Sequence, residues 1–147
     1  NIYSSYLITN DNNLYVCGKN DSGHLGVFST TTWTKITLTG IVDNVKEVIN
    51  NNSSSYLITN DNNLYVCGYN NYGQLGVDNT ANKSTWTKVN IVVITDIVEG
   101  VINNGSSYLI TLDNNLYVCG RNNYGQLGVG NTTNVLTWTK IDIEGIV

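Results

Sequence analysis

Short apolar runs separated by polar turns recur along the chain. Ser-Tyr-Leu-Ile-Thr occurs at residues 5–9, 55–59 and 107–111. Asn-Leu-Tyr-Val-Cys-Gly occurs at residues 13–18, 63–68 and 115–120. Runs of β-branched and aromatic residues bounded by turn residues favour strands, and no segment shows sustained helical spacing. Since both runs carry apolar residues on both faces, we predict strands buried on both sides, as in sheets stacked face to face.

Two further runs complete each repeat. Thr-Trp-Thr-Lys, at 32–35, 85–88 and 137–140, predicts a third strand. Residues 44–50 and their counterpart 96–103 predict a fourth strand. The Asn- and Asp-rich connection between the first two strands predicts a hairpin, because these side chains bond to nearby backbone and tolerate the left-handed conformation.

The repeated runs have a period near 50 residues. Cys17, Cys67 and Cys119, each at the end of a second strand, stand 50 and 52 residues apart. Such a period indicates a propeller, solenoid or array, because each unit must bury its face on a neighbour. We predict an all-β chain of β-propeller blades, each of four antiparallel strands, forming a single repeat domain and a partial propeller. The three units are about 1–50, 51–103 and 104–147.

The run L-Y-V-x-G-x-N-x-x-G-Q-L-G-V, preceded by Ser-Tyr-Leu-Ile-Thr and a turn, resembles the repeat of the regulator of chromosome condensation family. The resemblance covers nearly the whole chain and implies a β-propeller, which in that family has seven blades. The family usually has Trp where this chain has Cys17, Cys67 and Cys119. The family's chromosomal protein is a nucleotide-exchange factor for a small GTPase. The wedge between its blades has no counterpart in these repeats, so we do not expect exchange activity here.

Three blades are too few for a ring of that size, and the sequence opens and ends within a repeat. We therefore expect a segment of a longer propeller. Alternatively, copies of the chain complete the ring or stack openly, because the end blades would otherwise expose broad apolar faces.

Charge and hydropathy narrow the range of partners. The net charge is −4, and seven basic residues are scattered along the 147-residue chain. Nucleic acids and anionic membrane surfaces need clustered Lys and Arg, so we expect neither as a partner. The apolar runs are also far shorter than the ~20 residues that span a bilayer. We predict protein partners, which are further blades of the same chain, copies of itself or another protein.

The cysteines and glycines are predicted to be structural. Each repeat holds one Cys, whereas zinc sites use paired, closely spaced ligands, so we expect the thiols to be small buried hydrophobes. The glycine-rich loops lack the Lys-Ser/Thr that follows the last glycine of a phosphate loop. We expect these glycines to adopt positive φ and to let Leu25, Leu75 and Leu127 enter the core.

No other residue indicates catalysis or metal binding. His24, the one histidine, occupies the position held by Gln74 and Gln126, which predicts a structural hydrogen-bonding role. The Asp-Asn-Asn turns lack the further acidic ligands and terminal Glu of a calcium loop. These turns begin at Asp11, Asp61 and Asp113. We therefore expect no enzyme activity, no cofactor and no metal. An enzymatic interpretation would need further sequence to supply the chemistry.

Positions that differ between the repeats are candidates for partner binding, because a rigid scaffold usually carries specificity on variable loops. Tyr and Arg are also common interface anchors. The candidates are Lys19, Tyr69, Tyr72, Arg121 and Tyr124. The tryptophans are expected to cover the edge of each blade, with an aromatic binding surface as the alternative; they are Trp33, Trp86 and Trp138.

The sequence thus predicts a non-catalytic protein-interaction scaffold. The alternative is a structural component that assembles with itself into a larger shell, fibre or surface layer, which the nearly identical blades favour.

Overall fold

A computed structural model describes residues 3–37, 45–51, 53–90 and 96–143. They form eleven strands and no helix, so within these ranges no helix could cross a membrane. The strands are β1 (Ser4–Ile8), β2 (Leu14–Gly18), β3 (Thr30–Lys35), β4 (Val45–Asn50), β5 (Ser54–Thr59), β6 (Leu64–Gly68), β7 (Lys83–Lys88), β8 (Ile97–Asn103), β9 (Ser106–Thr111), β10 (Leu116–Gly120) and β11 (Val135–Ile141). The prediction of an all-β chain is confirmed.

The strands form three antiparallel sheets. Their orders are β1-β2-β3, β4-β5-β6-β7 and β11-β10-β9-β8. The two central strands keep the same register in every sheet. The paired residues are Tyr6 and Val16, Tyr56 and Val66, and Tyr108 and Val118.

The predicted fourth strand joins the sheet of the following repeat. Residues 44–50 were expected to be one such strand; β4 begins at Val45, and Asn44 lies outside the described residues. β4 pairs with β5, and β8 pairs with β9. The expectation of four strands is therefore wrong for the first sheet, which has three in the part of the chain that the structure describes. In the other two sheets this position is occupied by a strand from the preceding repeat.

The chain divides into two compact units. The first comprises Asn1–Tyr69 and Asn82–Val89, and the second comprises Asn70–Ala81 and Asn90–Val147. The loop between β6 and β7 thus belongs to the unit that contains the third sheet.

Burial follows the apolar pattern in the second and third sheets. β5 and β6 are buried at every position, as predicted from apolar residues on both faces. The core of the first unit includes Leu14, Leu25 and Leu57, and burial of each leucine contributes about 1.5–3 kcal/mol. Two-sided burial is wrong for β1, where Ser5 and Leu7 are exposed because no described residue covers that face.

The predicted hairpin turns are confirmed. In each turn the residue that follows the Asp adopts the left-handed conformation, with φ of 59°, 59° and 57° at Asn12, Asn62 and Asn114. Asn tolerates this conformation because its short side chain can bond to local backbone.

Candidate interaction site

An asparagine fixes the loop that follows the second strand of each repeat, and it is fully buried in the second and third repeats. The Leu75 N–H donates to Asn70 Oδ1 at 2.9 Å. Asn70 Nδ2 donates to the carbonyls of Asn79 and Ala81 at 2.8 and 3.2 Å. Asn122 makes the equivalent bonds, with Leu127 N–H, Asn131 O and Thr133 O. The loops are therefore rigid supports for the side chains they carry.

The leucines of these loops are buried as predicted. Leu25 and Leu75 are fully buried, and Leu127 is 2% exposed. The structural role of the loop asparagine was missed from the sequence. Its signal is that Asn recurs at the same position in all three repeats, as Asn20, Asn70 and Asn122.

Within each unit, a loop packs against the sheet of the following repeat. In the first unit, a Cβ added to Gly26 would lie 2.6 Å from Trp86 Cδ1. In the second unit, a Cβ added to Gly76 would likewise overlap the indole of Trp138. The structural interpretation of these two tryptophans, which lie on the outer strands β7 and β11, is confirmed. Trp33 on β3 is 51% exposed.

Two of the three cysteines are buried in these loop contacts. Cys67 Sγ donates to the His24 carbonyl at 3.0 Å, and Cys119 Sγ donates to the Gln74 carbonyl at 3.2 Å. Burial raises the pKa of both thiols well above the ordinary value, so neither is a thiolate at neutral pH. The prediction of a buried thiol is wrong for Cys17, which is only half-buried because no described loop covers it.

No sheet in the described part of the chain covers the equivalent loop of the third repeat. Its Gln126 is exposed, whereas the equivalent His24 and Gln74 are 3% and 2% exposed. A Cβ added to Gly128 would meet no atom within 4 Å. Among the described residues, nothing packs on the surface at Cys17 or on the surface at Gly128. The equivalent residues Cys67 and Gly76 are each covered within their unit.

Three of the five candidate residues form a cluster in the second unit. The Arg121 guanidinium carbon lies 5.1 Å from the ring centroid of Tyr72 and 5.9 Å from that of Tyr124. The Arg121 backbone is held by Gly105 and Ser106, through bonds of 2.8 Å each. We call Tyr72, Arg121 and Tyr124 the Tyr–Arg–Tyr cluster. Guanidinium groups stack favourably on aromatic faces, so the tyrosines hold the cation in place.

The cation of this cluster has no carboxylate partner among the residues that the structure describes. By contrast, Lys19 pairs with Asp21, and Lys140 pairs with Asp142. Tyr124 is 85% exposed, and the Arg121 Nε is buried without a hydrogen bond. The cluster therefore presents a positioned cation beside an accessible aromatic ring.

The other two candidates lie in the first unit. Lys19 is exposed, pairs with Asp21 at 2.8 Å and lies over the ring of Tyr3. Tyr69 is half-buried, and its backbone is held by Ser53 and Ser54. The pairing with Asp21 makes Lys19 less available to an acidic partner than Arg121 is.

His24 lies in a structural position, as predicted. It is 3% exposed, and its Nε2 is 3.1 Å from Ser4 Oγ. Burial lowers the pKa of His24, and the charge of Asp21 opposes that shift. The folded state therefore favours neutral imidazole.

Because the folded pKa of His24 is lowered, the unfolded chain takes up a proton first as the pH falls. The contribution of neutral His24 to stability is fully present above the unfolded pKa of about 6.5, and it is lost as the pH drops towards the folded pKa. We expect His24→Gln, which reproduces the residue of the other two loops, to remove this loss. Urea unfolding between pH 8 and pH 5 measures it, with a limiting slope of about 1.4 kcal/mol per pH unit. A wild-type-to-variant difference that stays constant with pH would contradict the prediction.

Within the described ranges, no group of three or more His, Cys, Asp or Glu side chains could hold a metal ion. Asp11 of the first hairpin turn instead accepts a local hydrogen bond from Thr9 Oγ1.

Comparisons with known proteins identify the repeat. The model of the regulator of chromosome condensation (RCC1) repeat matches residues 61–99 and 113–143. No curated protein sequence matches the chain.

Solved structures show the fold. Prp20p from Saccharomyces cerevisiae superposes with a TM-score of 0.81 at 18% identity, over 97% of this chain and 37% of that one. Human WBSCR16 superposes with a TM-score of 0.83 at 20% identity, over 97% of this chain and 38% of that one. Yeast RCC1 (Prp20) bound to Kap60 superposes with a TM-score of 0.81 at 18% identity, over 97% of this chain and 36% of that one. The chain has the fold of a partial β-propeller and spans little more than a third of the length of these proteins.

Proposed function

We propose that the chain is a non-catalytic scaffold that binds another protein, because residues 61–99 and 113–143 match the model of the regulator of chromosome condensation repeat. Prp20p, which shares the fold, has been described for its binding to Gsp1p and histones, and yeast RCC1 has been solved bound to Kap60. These partners belong to those proteins. They support a protein-binding role here without naming the partner.

The Tyr–Arg–Tyr cluster is the observation that carries this proposal. Arg121 is the one arginine of the chain, it is stacked by Tyr72, and it has no carboxylate partner in the described residues. Rigid aromatic residues and Arg are enriched among residues that dominate binding energy. The partner we propose therefore offers an Asp or Glu side chain to Arg121 and an apolar surface to Tyr124. Lys19 and Tyr69 are proposed as secondary contacts.

Substitutions in the cluster test this function. We expect Arg121→Ala combined with Tyr124→Ala to reduce the affinity for a protein captured from the source organism by about tenfold or more, because each such anchor contributes over 1 kcal/mol. Arg121→Lys keeps the charge but loses the flat stacking surface, so it should retain part of the affinity. Titration of the purified partner by calorimetry measures each effect.

Lys140→Ala is the matched control, because it removes one positive charge from the same unit at a site already paired with Asp142. Lys19→Ala and Tyr69→Ala, made separately, test the secondary contacts. Equal affinity of the wild type and the Arg121 and Tyr124 double variant would exclude the cluster as the binding site.

A second candidate function is self-assembly into a larger structure. The uncovered surfaces at Cys17 and Gly128 are counterparts of the two loop-to-sheet contacts within the units, so we propose that they can join copies of the chain head to tail. Sedimentation should then show a mass that rises with concentration, and alkylation of Cys17 should slow in parallel. A monomer at all concentrations with Cys17 reactive throughout would exclude this function.

A further inference from the structure

A groove in the first unit lies between the loop of the first repeat and strand β7 of the second repeat. It is a cavity of about 560 Å³, within the range of ~300–1,000 Å³ that is typical of small-ligand sites. One wall is formed by residues 20–23 and 26–29 of the loop. The other wall is formed by Asn82, just before β7, and by Ser84 and Thr85 within it. All of these residues belong to the first unit.

The corresponding space in the second unit is closed. There Val77 forms a β-bridge with Thr137 of β11, and the Asp78 N–H donates to the Leu136 carbonyl at 3.0 Å. A Cβ added to Gly73 would overlap Leu136 Cδ2, so the leucine side chain fills the space beside the loop.

A smaller side chain opens this space in the first unit, where Ser84 stands in the position of Leu136. The backbones approach equally closely in the two units. A Cβ added to Gly23 would lie 2.9 Å from Ser84 Cα, and one added to Gly73 would lie 3.0 Å from Leu136 Cα. The groove therefore arises from a sequence difference between two repeats that both pack against their neighbour.

The loop of the first repeat also differs in length. Five residues separate Val27 from Trp33 in the first repeat. Eight separate Val77 from Trp86 in the second. Among the described residues, the shorter loop makes no β-bridge to β7. It presents Phe28, the one phenylalanine of the chain, which lines the groove and is 94% exposed.

Hydroxyl groups dominate the polar lining. The side-chain hydroxyls of Ser22, Ser84 and Thr85 make no hydrogen bond to another described residue. Asp21 supplies a carboxylate, and Lys19 offsets its charge at 2.8 Å. Since no Lys or Arg is among the described residues that line the groove, it favours a neutral ligand over a phosphate or another anion.

We propose that this groove binds a neutral saccharide. The apolar face of a sugar ring packs on Phe28, because an aromatic ring offers a large, flat apolar surface. The sugar hydroxyls bond to the hydroxyls of Ser22, Ser84 and Thr85 and to the Asp21 carboxylate, since a hydroxyl group both donates and accepts. Binding of a saccharide goes beyond the scaffold function, and the groove is independent of the Tyr–Arg–Tyr cluster, which lies in the second unit.

Fluorine NMR tests the site directly. Because the chain has one phenylalanine, labelling with para-fluorophenylalanine gives a single resonance that reports on Phe28. The probes are the neutral disaccharides maltose, cellobiose, lactose and diacetylchitobiose. We expect at least one of them to shift this resonance saturably, with a Kd of about 1 mM or tighter. Absence of a saturable shift for all four up to about 10 mM would overturn the proposal.

Substitutions in the groove separate binding from folding. Ser84→Leu introduces the side chain that fills the second unit, so it should keep the fold and weaken saccharide binding at least tenfold. Phe28→Ala should weaken binding to a similar degree, whereas Phe28→Trp keeps a flat apolar ring and should still bind. Leu112→Ala, at a residue of the second unit that is 67% exposed, is the control for loss of an exposed apolar side chain.

Calorimetry measures these affinities, and circular dichroism checks the fold of each variant. Wild-type affinity in both Ser84→Leu and Phe28→Ala would show that the saccharide does not bind in the groove. Arg121→Ala should bind saccharide as the wild type does, so failure of the scaffold proposal at the cluster leaves this result unaffected.

A glycoprotein distinguishes the source of the saccharide. A high-mannose glycoprotein is titrated before and after enzymatic removal of its glycans. A shift of the Phe28 resonance only before removal identifies a glycan carried on a protein, and a shift with the disaccharides alone identifies a free saccharide. An equal shift before and after removal would show that a peptide segment occupies the groove and that the saccharide proposal is wrong.

Discussion

Replacing Gly76 with Ala is expected to lower the free energy of unfolding by about 2–5 kcal/mol. Gly76 has a φ of +66°, a conformation that costs other residues about 1–2 kcal/mol. The added methyl group would also contact the indole of Trp138, and overpacking of this kind costs about 1–3 kcal/mol. Urea unfolding followed by circular dichroism measures the loss.

Gly128→Ala is the control, because Gly128 occupies the equivalent loop position in the next repeat. Its φ of +70° imposes the same backbone cost, but no atom lies within 4 Å of the added Cβ. We expect a loss of only about 1–2 kcal/mol. Equal losses for the two variants in dilute monomeric samples would contradict the contact between Gly76 and Trp138.

Asn70→Asp is expected to cost about 3–5 kcal/mol at neutral pH. The substitution keeps the shape of the side chain but replaces the two-donor Nδ2 group with an acceptor. That acceptor would face the carbonyls of Asn79 and Ala81, now 2.8 and 3.2 Å from Nδ2. Asn70 is fully buried, so an unpaired carboxylate there would carry a large desolvation cost.

The pH dependence of this variant provides a second check. Protonation of the new carboxyl group restores one donor, so the cost relative to the wild type should shrink as the pH falls from 7.5 to 5. Asn79→Ala, at a half-buried position in the same loop, removes hydrogen bonds to Val77 and Ala81 without burying a charge. It should cost about 1 kcal/mol. A cost for Asn70→Asp that is no larger than this would show that Asn70 does not anchor the loop.

The repeated elements were predictable because they depend on local chemistry. The hairpins with positive φ at Asn12, Asn62 and Asn114 require a residue that tolerates the left-handed conformation, and that requirement is visible in the sequence. The burial of the loop leucines was predictable because glycines flank them on both sides. The outer strands that carry Trp86 and Trp138 were also predictable, because the run of residues that forms them is repeated in each unit.

The candidate site was predictable only as a set of residues. Variation between repeats singled out five positions, but Tyr72 and Arg121 are 49 residues apart and meet through packing within the second unit. Lys19 and Arg121 are both candidates because they are basic residues at a position that varies between repeats. Only the structure shows that Lys19 is paired with Asp21. The role of the buried loop asparagine also required the tertiary structure, because its partners lie up to eleven residues away.

The sequence by itself determined the strands, the turns and the repeat model that residues 61–99 and 113–143 match, because these depend on side-chain pattern, local backbone preference and recurrence. Only the tertiary structure decided which copy of an identical motif is covered. Cys17 and Cys67 follow the same residues, Leu-Tyr-Val, yet one is half-buried and the other fully buried. Burial depends on what packs against a strand, and among the described residues a loop packs against Cys67 but none packs against Cys17. Neighbouring structure is not encoded in the run of residues that forms the strand.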